Sequence, residues 1–259
     1  MTAISSRELP ATTADRTSRP MRLDVCRGAP ELMALYLREL QRSPALCLTV
    51  VGTAIGPTAA VLGLDLLLRG DGAVFAASAP TLTALIGLIV PMSLLTLPLV
   101  RLRDRGTLRL IATTAARQFS AMLAGLTVAA LGTATAMTVL VGALVIFAPL
   151  GPRTLVGALT SAVFGIGVAS LVGACVRQST TARALAVVVP AVAVLASDAL
   201  PWGRIFPSLT ALTDLLPTAI IGQAVSAGSA SASPPDLALL SVAIVSIVVC
   251  LASVRWCRA

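Results

Sequence analysis

The sequence predicts an all-α integral membrane protein with six transmembrane helices. Hydrophobic residues make up 57% of its 259 residues and charged residues only 12%, whereas a soluble domain carries about 25% charged residues. Apolar runs recur along the chain at lengths near the roughly 20 residues that a helix needs to cross a bilayer. Because a water-soluble protein of this size needs more polar surface than so few charged residues supply, the membrane class follows.

The chain opens with a polar segment and an amphipathic helix. Residues 1–29 are rich in Ser, Thr, Arg and Pro and contain no apolar run of the kind that a signal peptide needs, which predicts a disordered cytoplasmic tail. Residues 30–44 predict an interfacial helix, because Leu32, Leu35, Tyr36 and Leu40 recur at helical spacing among charged residues. This helix either anchors the chain at the membrane surface or contacts a partner.

Six apolar runs predict the membrane spans, at about 45–68, 81–100, 119–148, 154–176, 184–200 and 237–254. Together they form one six-span domain over residues 45–259. The first span contains Gly52-x-x-x-Gly56, a pattern that lets helices approach each other closely in lipid. It predicts either packing inside the chain or a seam between two copies of it.

The stretch between the last two spans has a different pattern. Apolar side chains, among them Trp202 and Phe206, recur at steps of three and four, and Pro217 interrupts the run. This pattern indicates an amphipathic helical face, and its position between two spans predicts a re-entrant or interfacial helical hairpin on the external side. The hairpin either caps a pathway through the protein or packs at the interface.

The arginines near the span ends predict the orientation. All 19 basic residues are arginine, and basic residues favour cytoplasmic loops. Twelve arginines fall on one side of the predicted spans and three on the other, which places both termini in the cytoplasm. The twelve are Arg27, Arg38, Arg42, Arg101, Arg103, Arg105, Arg109, Arg117, Arg177, Arg183, Arg255 and Arg258, and the three are Arg69, Arg153 and Arg204. The arginine-only, Ala-, Val- and Gly-rich usage is associated with GC-rich bacterial genomes, and for such a source the expected location is the inner membrane.

Several classes of chemistry lack the residues that they need. The chain has no lysine for a nucleotide-binding loop and no histidine for a zinc protease or a Ser-His-Asp site. The five cysteines have no metal-ligand spacing, and the basic charge lies beside apolar runs rather than on a nucleic-acid patch. Only Asp65 and Asp198 lie at membrane depth, near predicted span ends, which disfavours proton coupling within the chain. We therefore expect no enzyme, no metal and no nucleic-acid partner.

One basic connector, between the second and third spans, carries a resemblance to a known family. It reads Arg103-Asp104-Arg105-Gly106-Thr107-Leu108, then Ala112-Thr113-Thr114 and Arg117, and a Leu215-Leu216-Pro217-Thr218 segment precedes the last span. A charged run, Gly-Thr-Leu and a basic piece leading into the third span resemble the permeases of type-2 ABC transporters. That exporter class includes drug, antibiotic and polysaccharide efflux systems.

The resemblance implies a permease subunit that works as a dimer, with a second copy or a paralogue, and with a separate ATPase subunit. The loop 101–118 would then dock into the ATPase, with Arg103, Asp104, Arg105, Gly106, Thr107 and Leu108 as the coupling residues. ATP and Mg would be bound by that partner, and no cofactor by this chain. The expected substrate is a hydrophobic or amphipathic compound such as an antibiotic or a lipid-like molecule. A secondary transporter or channel, or a non-transport membrane protein, remains the alternative.

Overall fold

A computed structural model describes residues 29–42, 44–68, 70–107, 118–147, 151–195, 214–226 and 236–256. These ranges form nine α-helices: α1 Ala29–Gln41, α2 Pro44–Leu68, α3 Ala73–Pro91, α4 Leu97–Asp104, α5 Gln118–Phe147, α6 Pro152–Cys175, α7 Ser179–Leu195, α8 Pro217–Ser226 and α9 Asp236–Trp256. A π-helical segment, Met92–Thr96, joins α3 to α4. The polar segment 1–28 lies outside the described residues, as do Leu108, Trp202 and Phe206.

Five stretches of helix are long and apolar enough to cross a membrane: Val50–Leu68, Ala73–Asp104, Ala121–Phe147, Arg153–Cys175 and Asp236–Val254. They indicate a multi-pass membrane protein, and they match the predicted spans one, two, three, four and six. The fifth predicted span corresponds to α7, which has 17 described residues. A helix of that length rises about 25 Å, short of the ~30 Å of hydrocarbon, so a sixth crossing stays a prediction.

The continuous helix of residues 73–104, called here the long helix, is the centre of the fold. It packs against α2, α5, α6, α7 and α8. In its most apolar stretch 83% of the residues are buried, against 44% at most in the other four candidate spans. Ile86, Val90, Leu95 and Val100 along it are completely shielded. Its neighbours therefore present their outer faces to the surroundings while the long helix lies inside.

The long helix begins at Ala73, whereas the sequence predicted a loop up to residue 80. The carboxylate of Asp65 explains the earlier start, because it lies fully buried beneath the first turn. Its oxygens accept hydrogen bonds from the backbone N–H groups of Gly72 (2.9 Å), Val74 (2.8 Å) and Phe75 (3.3 Å). Helix N-termini leave such donors without intrahelical partners. Satisfying them from α2 extends α3 by two turns beyond the predicted bound.

Proline and glycine set the contact between the long helix and α6. Pro91 has no N–H, so the carbonyl of Gly87 lacks its usual helical donor. Gly165 of α6 lies directly on that carbonyl oxygen, and a methyl group at Gly165 would overlap it. Nearby, the Ser161 hydroxyl donates to the Thr83 carbonyl at 3.0 Å. Because residue 165 of α6 is glycine, α3 and α6 pack closer together here than any larger side chain would allow.

The amphipathic helix expected at residues 30–44 is present as α1. Its apolar side, formed by Leu32, Tyr36 and Leu40, is buried, and α1 packs chiefly against α5. The Tyr36 hydroxyl donates to the Leu95 carbonyl of the π-helical segment at 3.2 Å. Leu35, which the sequence placed on the same face, is 39% exposed. This helix is thus docked on its own chain through the centre of its apolar face.

The short helix α8 begins at Pro217 and packs between the long helix and α6. The Thr154 hydroxyl donates to the Val225 carbonyl at 3.4 Å, and a side chain at Gly157 would meet Val225. At 10 residues α8 is too short to cross a bilayer. It fits one arm of the predicted hairpin, and the other arm lies outside the described residues, so the hairpin stays a prediction.

Gly52 and Gly56 lie on the outer face of α2. Both are exposed, and a side chain at either position would have no atom within 4 Å. Over the described parts of the chain these glycines therefore do not serve internal packing, one of the two uses that the sequence predicted for them.

Candidate functional site

The last turn of α4 holds the end of another helix. Arg103 donates from Nη1 to the carbonyl oxygens of Gly173 (3.2 Å), Ala174 (3.3 Å) and Val176 (2.8 Å). These carbonyls belong to the end of α6, where the last carbonyls of a helix lack intrahelical donors. A cation there also complements the negative end of the helix dipole. Arg103 therefore caps α6.

The next residue holds the start of α7. The Asp104 carboxylate accepts a hydrogen bond at 3.0 Å from the backbone N–H of Ser179, the first residue of α7. Carboxylates stabilise helix N-termini by accepting from donors that the helix leaves unused. Arg103 and Asp104, named here the Arg103–Asp104 clamp, thus grip both sides of the turn at residues 176–178.

The chain changes direction just after the clamp. The N–H of Gly106 donates to the Arg103 carbonyl at 3.0 Å, and Gly106 adopts φ +70°, a left-handed conformation that favours glycine. The chain therefore makes a sharp turn at Gly106. Arg105 is exposed at the end of α4, and Thr107 follows the turn half-buried. Among the six predicted coupling residues, Arg103 and Asp104 thus bond other helices of the chain, Arg105 is exposed, and Leu108 lies outside the described residues.

A cavity of about 460 Å³ lies between α2, the long helix and α7. The long helix contributes a stripe of every fourth residue over roughly 18 Å of its length, and α7 contributes residues from one face. The lining residues are Thr53, Leu85, Ile89, Ser93, Leu97, Arg183, Ala186, Val187, Pro190 and Ala191. Small side chains and proline on α7 leave the space open, so the cavity results from the sequence of that face.

Most of the cavity wall is apolar, and its few polar groups are distinct. Ser93 lies in the π-helical segment and is 3% exposed, whereas Arg183 is exposed. Pro190 also removes the helical donor to the Ala186 carbonyl. A π-helical segment often marks a functional site, and an arginine within an apolar helix is a functional candidate by default.

The clamp and the cavity share α7. Asp104 holds Ser179, and Arg183, one turn further along α7, lines the cavity together with Leu97 of α4. A direct hydrogen bond thus joins α4 to the helix that forms one wall of the cavity. The sequence assigned residues 177–183 to a loop and gave the cavity residues no role. Two features of the sequence could have indicated the cavity. Its long-helix residues recur every four positions from Leu85 to Leu97, and Arg183 lies next to an apolar helix face.

The other residues singled out in the sequence lie in separate parts of the fold. Pro217 opens α8, Gly52 and Gly56 face outward, and Thr53 between them lines the cavity. Within the described ranges no group of three or more His, Cys, Asp or Glu side chains could hold a metal ion.

The chain matches no known protein-family model and no curated protein.

Proposed function

We propose that this chain is the permease subunit of an ATP-driven ABC exporter of the bacterial inner membrane. It works as a dimer with a separate ATPase subunit, which binds ATP and Mg. The proposal rests on the resemblance of the basic connector to type-2 permeases. The observation that carries it is the Arg103–Asp104 clamp, which links that connector to the wall of an apolar cavity.

The two halves of the predicted coupling segment take different parts in this proposal. Arg103 and Asp104 are engaged inside the chain, so they transmit movement to α6 and α7 rather than dock the ATPase. We assign docking to Arg105, because its side chain is exposed, and to the residues that follow Gly106 in the connector. Closure of the ATPase pulls this segment, the clamp carries the movement to α7, and the cavity between α2 and α7 changes shape.

The cavity suits a hydrophobic or amphipathic substrate, because Leu85, Ile89 and Val187 give it apolar walls. Its volume of about 460 Å³ falls within the range of about 300–1,000 Å³ that is typical of small-molecule sites. In the same proposal α7 makes the sixth crossing, both termini lie in the cytoplasm, and α8 belongs to an external hairpin. Antibiotic efflux is one physiological role of such a subunit.

The test is co-purification from detergent-solubilised native membranes, with the retained subunits identified by mass spectrometry and assayed for ATP hydrolysis. Arg105→Glu reverses an exposed charge next to the turn, whereas Arg103→Glu would also uncap α6 and is unsuitable. Arg153→Glu makes the same change at an exposed position near the start of α6, on the predicted opposite side of the membrane.

We expect an ATP-hydrolysing subunit to accompany the wild type and Arg153→Glu but not Arg105→Glu. Loss from both variants would contradict docking at the connector. Recovery of a folded permease without any ATPase, together with ATP-independent flux after reconstitution, would replace the proposal with a secondary transporter or channel.

A further inference from the structure

We infer that the cavity between α2, the long helix and α7 binds a single-chain amphiphile with an anionic headgroup, and that Arg183 holds the headgroup. This inference rests on the proposed function, since it names the substrate class of the same cavity. Three observations lead to it: the position of Arg183, the nature of the wall beyond it, and the volume.

The position of Arg183 fixes where a headgroup would lie. Arg183 is the first residue of the α7 face that lines the cavity, one turn after Ser179. Because the Asp104 carboxylate bonds Ser179, this end of the cavity lies next to the end of α4. No described carboxylate lines the cavity beside Arg183. Its guanidinium thus offers several donors in a planar fork that matches a carboxylate, sulfate or phosphate.

The wall beyond Arg183 suits a hydrocarbon chain. The long helix presents Leu97, Ile89 and Leu85, and α7 presents Val187 and Pro190. One buried hydroxyl, that of Ser93, interrupts this surface at mid-length. A headgroup at Arg183 would therefore leave the tail against aliphatic side chains, and Ser93 would meet a polar substituent or a water molecule.

The volume fits a small molecule with one chain. At about 30 Å³ for a water-sized group, a cavity of about 460 Å³ holds on the order of 15 such groups. A fatty-acid-like molecule of twelve or so carbons fits this space, whereas a two-chain phospholipid has several times as many atoms. The occupant that we assign is the transported amphiphile, and the test below distinguishes it from a lipid of the surrounding bilayer.

The test measures binding to the purified full-length permease in nanodiscs of zwitterionic phospholipid. The probe is tritiated dodecanoic acid, whose single chain matches the volume, compared with its uncharged methyl ester. Arg183→Gln removes the charge and keeps most of the side-chain length, and Ala191→Leu fills the cavity. Arg177→Gln is the matched control, because Arg177 is exposed just before α7 and does not line the cavity.

We expect wild-type protein to bind the acid about tenfold more tightly than the ester, the order expected for one charge-assisted contact. Arg183→Gln should bring the Kd of the acid to that of the ester and leave the ester unchanged. Ala191→Leu should weaken both probes, and Arg177→Gln should match the wild type.

Equal affinity of the wild type for acid and ester would overturn the inference, as would an Arg177→Gln effect as large as that of Arg183→Gln. Displacement of the probe when anionic phospholipid replaces the zwitterionic lipid would assign the site to a bilayer lipid instead. The isolated permease needs no ATPase for this assay. Selective binding without a recoverable ATPase would therefore refute the proposed function alone, and an ATPase complex without selective binding would refute the inference alone.

Discussion

At the scale of single residues, a few positions without side chains or without N–H groups decide how closely the helices approach. Pro91 leaves the Gly87 carbonyl without a helical donor, and Gly165 covers that oxygen. Cα–H groups make weak hydrogen bonds to carbonyl oxygens at such close helix contacts. The long helix and α6 thus meet backbone to backbone, and the contact leaves no room for a methyl group.

We expect Gly165→Ala to destabilise the protein, because the added methyl overlaps the Gly87 carbonyl oxygen and forces α6 away from α3. Overpacking of this kind costs about 1–3 kcal/mol. The measurement is the thermal unfolding midpoint in detergent. Gly142→Ala in α5 is the matched control, since its methyl would meet no atom within 4 Å. Equal midpoints for the two variants would show that the α3–α6 contact tolerates separation.

At the scale of elements, the Arg103–Asp104 clamp joins three helices that the sequence separates. The residues that it connects lie 70 to 75 positions apart. Arg103 acts on the end of α6 and Asp104 on the start of α7, so the short turn between them is held from both sides. This arrangement explains why α7 begins at Ser179 rather than after the basic residues.

We expect Arg103→Gln to loosen the turn at residues 176–178 and the first turn of α7. A neutral amide loses the interaction with the end of the α6 dipole, which contributes about 0.3–1 kcal/mol for a cation. Hydrogen exchange in peptides covering this turn should become faster, while exchange in α5 stays unchanged. Arg177→Gln lies in the same turn and should leave the exchange rates as they are. Unchanged exchange in Arg103→Gln would remove the clamp from the coupling proposal.

The helices themselves were largely predictable, because a helix that contacts lipid needs a long apolar run in its sequence. The third span, predicted at 119–148, is α5 at Gln118–Phe147. The start of the long helix was not predictable, since it depends on Asp65 reaching the N–H of Gly72 from a different helix. Likewise, the clamp and the cavity arise from helix pairings that no local pattern encodes. The sequence assigned Arg183 to a loop, whereas α7 begins at Ser179 in the structure and therefore includes Arg183.

At the scale of the whole molecule, the outer surface is apolar over large areas. Leu48 and Leu67 on α2, Leu159 on α6 and Val187 on α7 are each more than two-thirds exposed. Exposed apolar side chains in such number indicate contact with a membrane or with partners. The sequence explains the surface through composition, but the GxxxG pattern did not reveal that its glycines face outward. A GxxxG motif permits close approach at one face of a helix, but the packing of the other helices determines what that face contacts.

The number of crossings depends on α7. The described helix is about 25 Å long, yet it lies beside the most buried of the candidate membrane spans along the whole cavity. A helix that follows the long helix in this way is expected to share its depth in the membrane. With α7 crossing, the chain spans the membrane six times and both termini lie on one side. Without it, five crossings place the termini on opposite sides.

Single cysteines in a cysteine-free background distinguish the two arrangements by labelling with a membrane-impermeant maleimide. Gln178→Cys and Asp236→Cys mark the positions before α7 and at the start of α9, and both are exposed. If α7 crosses, only Asp236→Cys reacts in intact cells, and Gln178→Cys reacts after permeabilisation. Asp71→Cys and Arg153→Cys are the control pair, because two spans separate them and they must react from the same side. Reaction of Gln178→Cys and Asp236→Cys from one side would make α7 re-entrant, and the cavity beside it would then open toward that side.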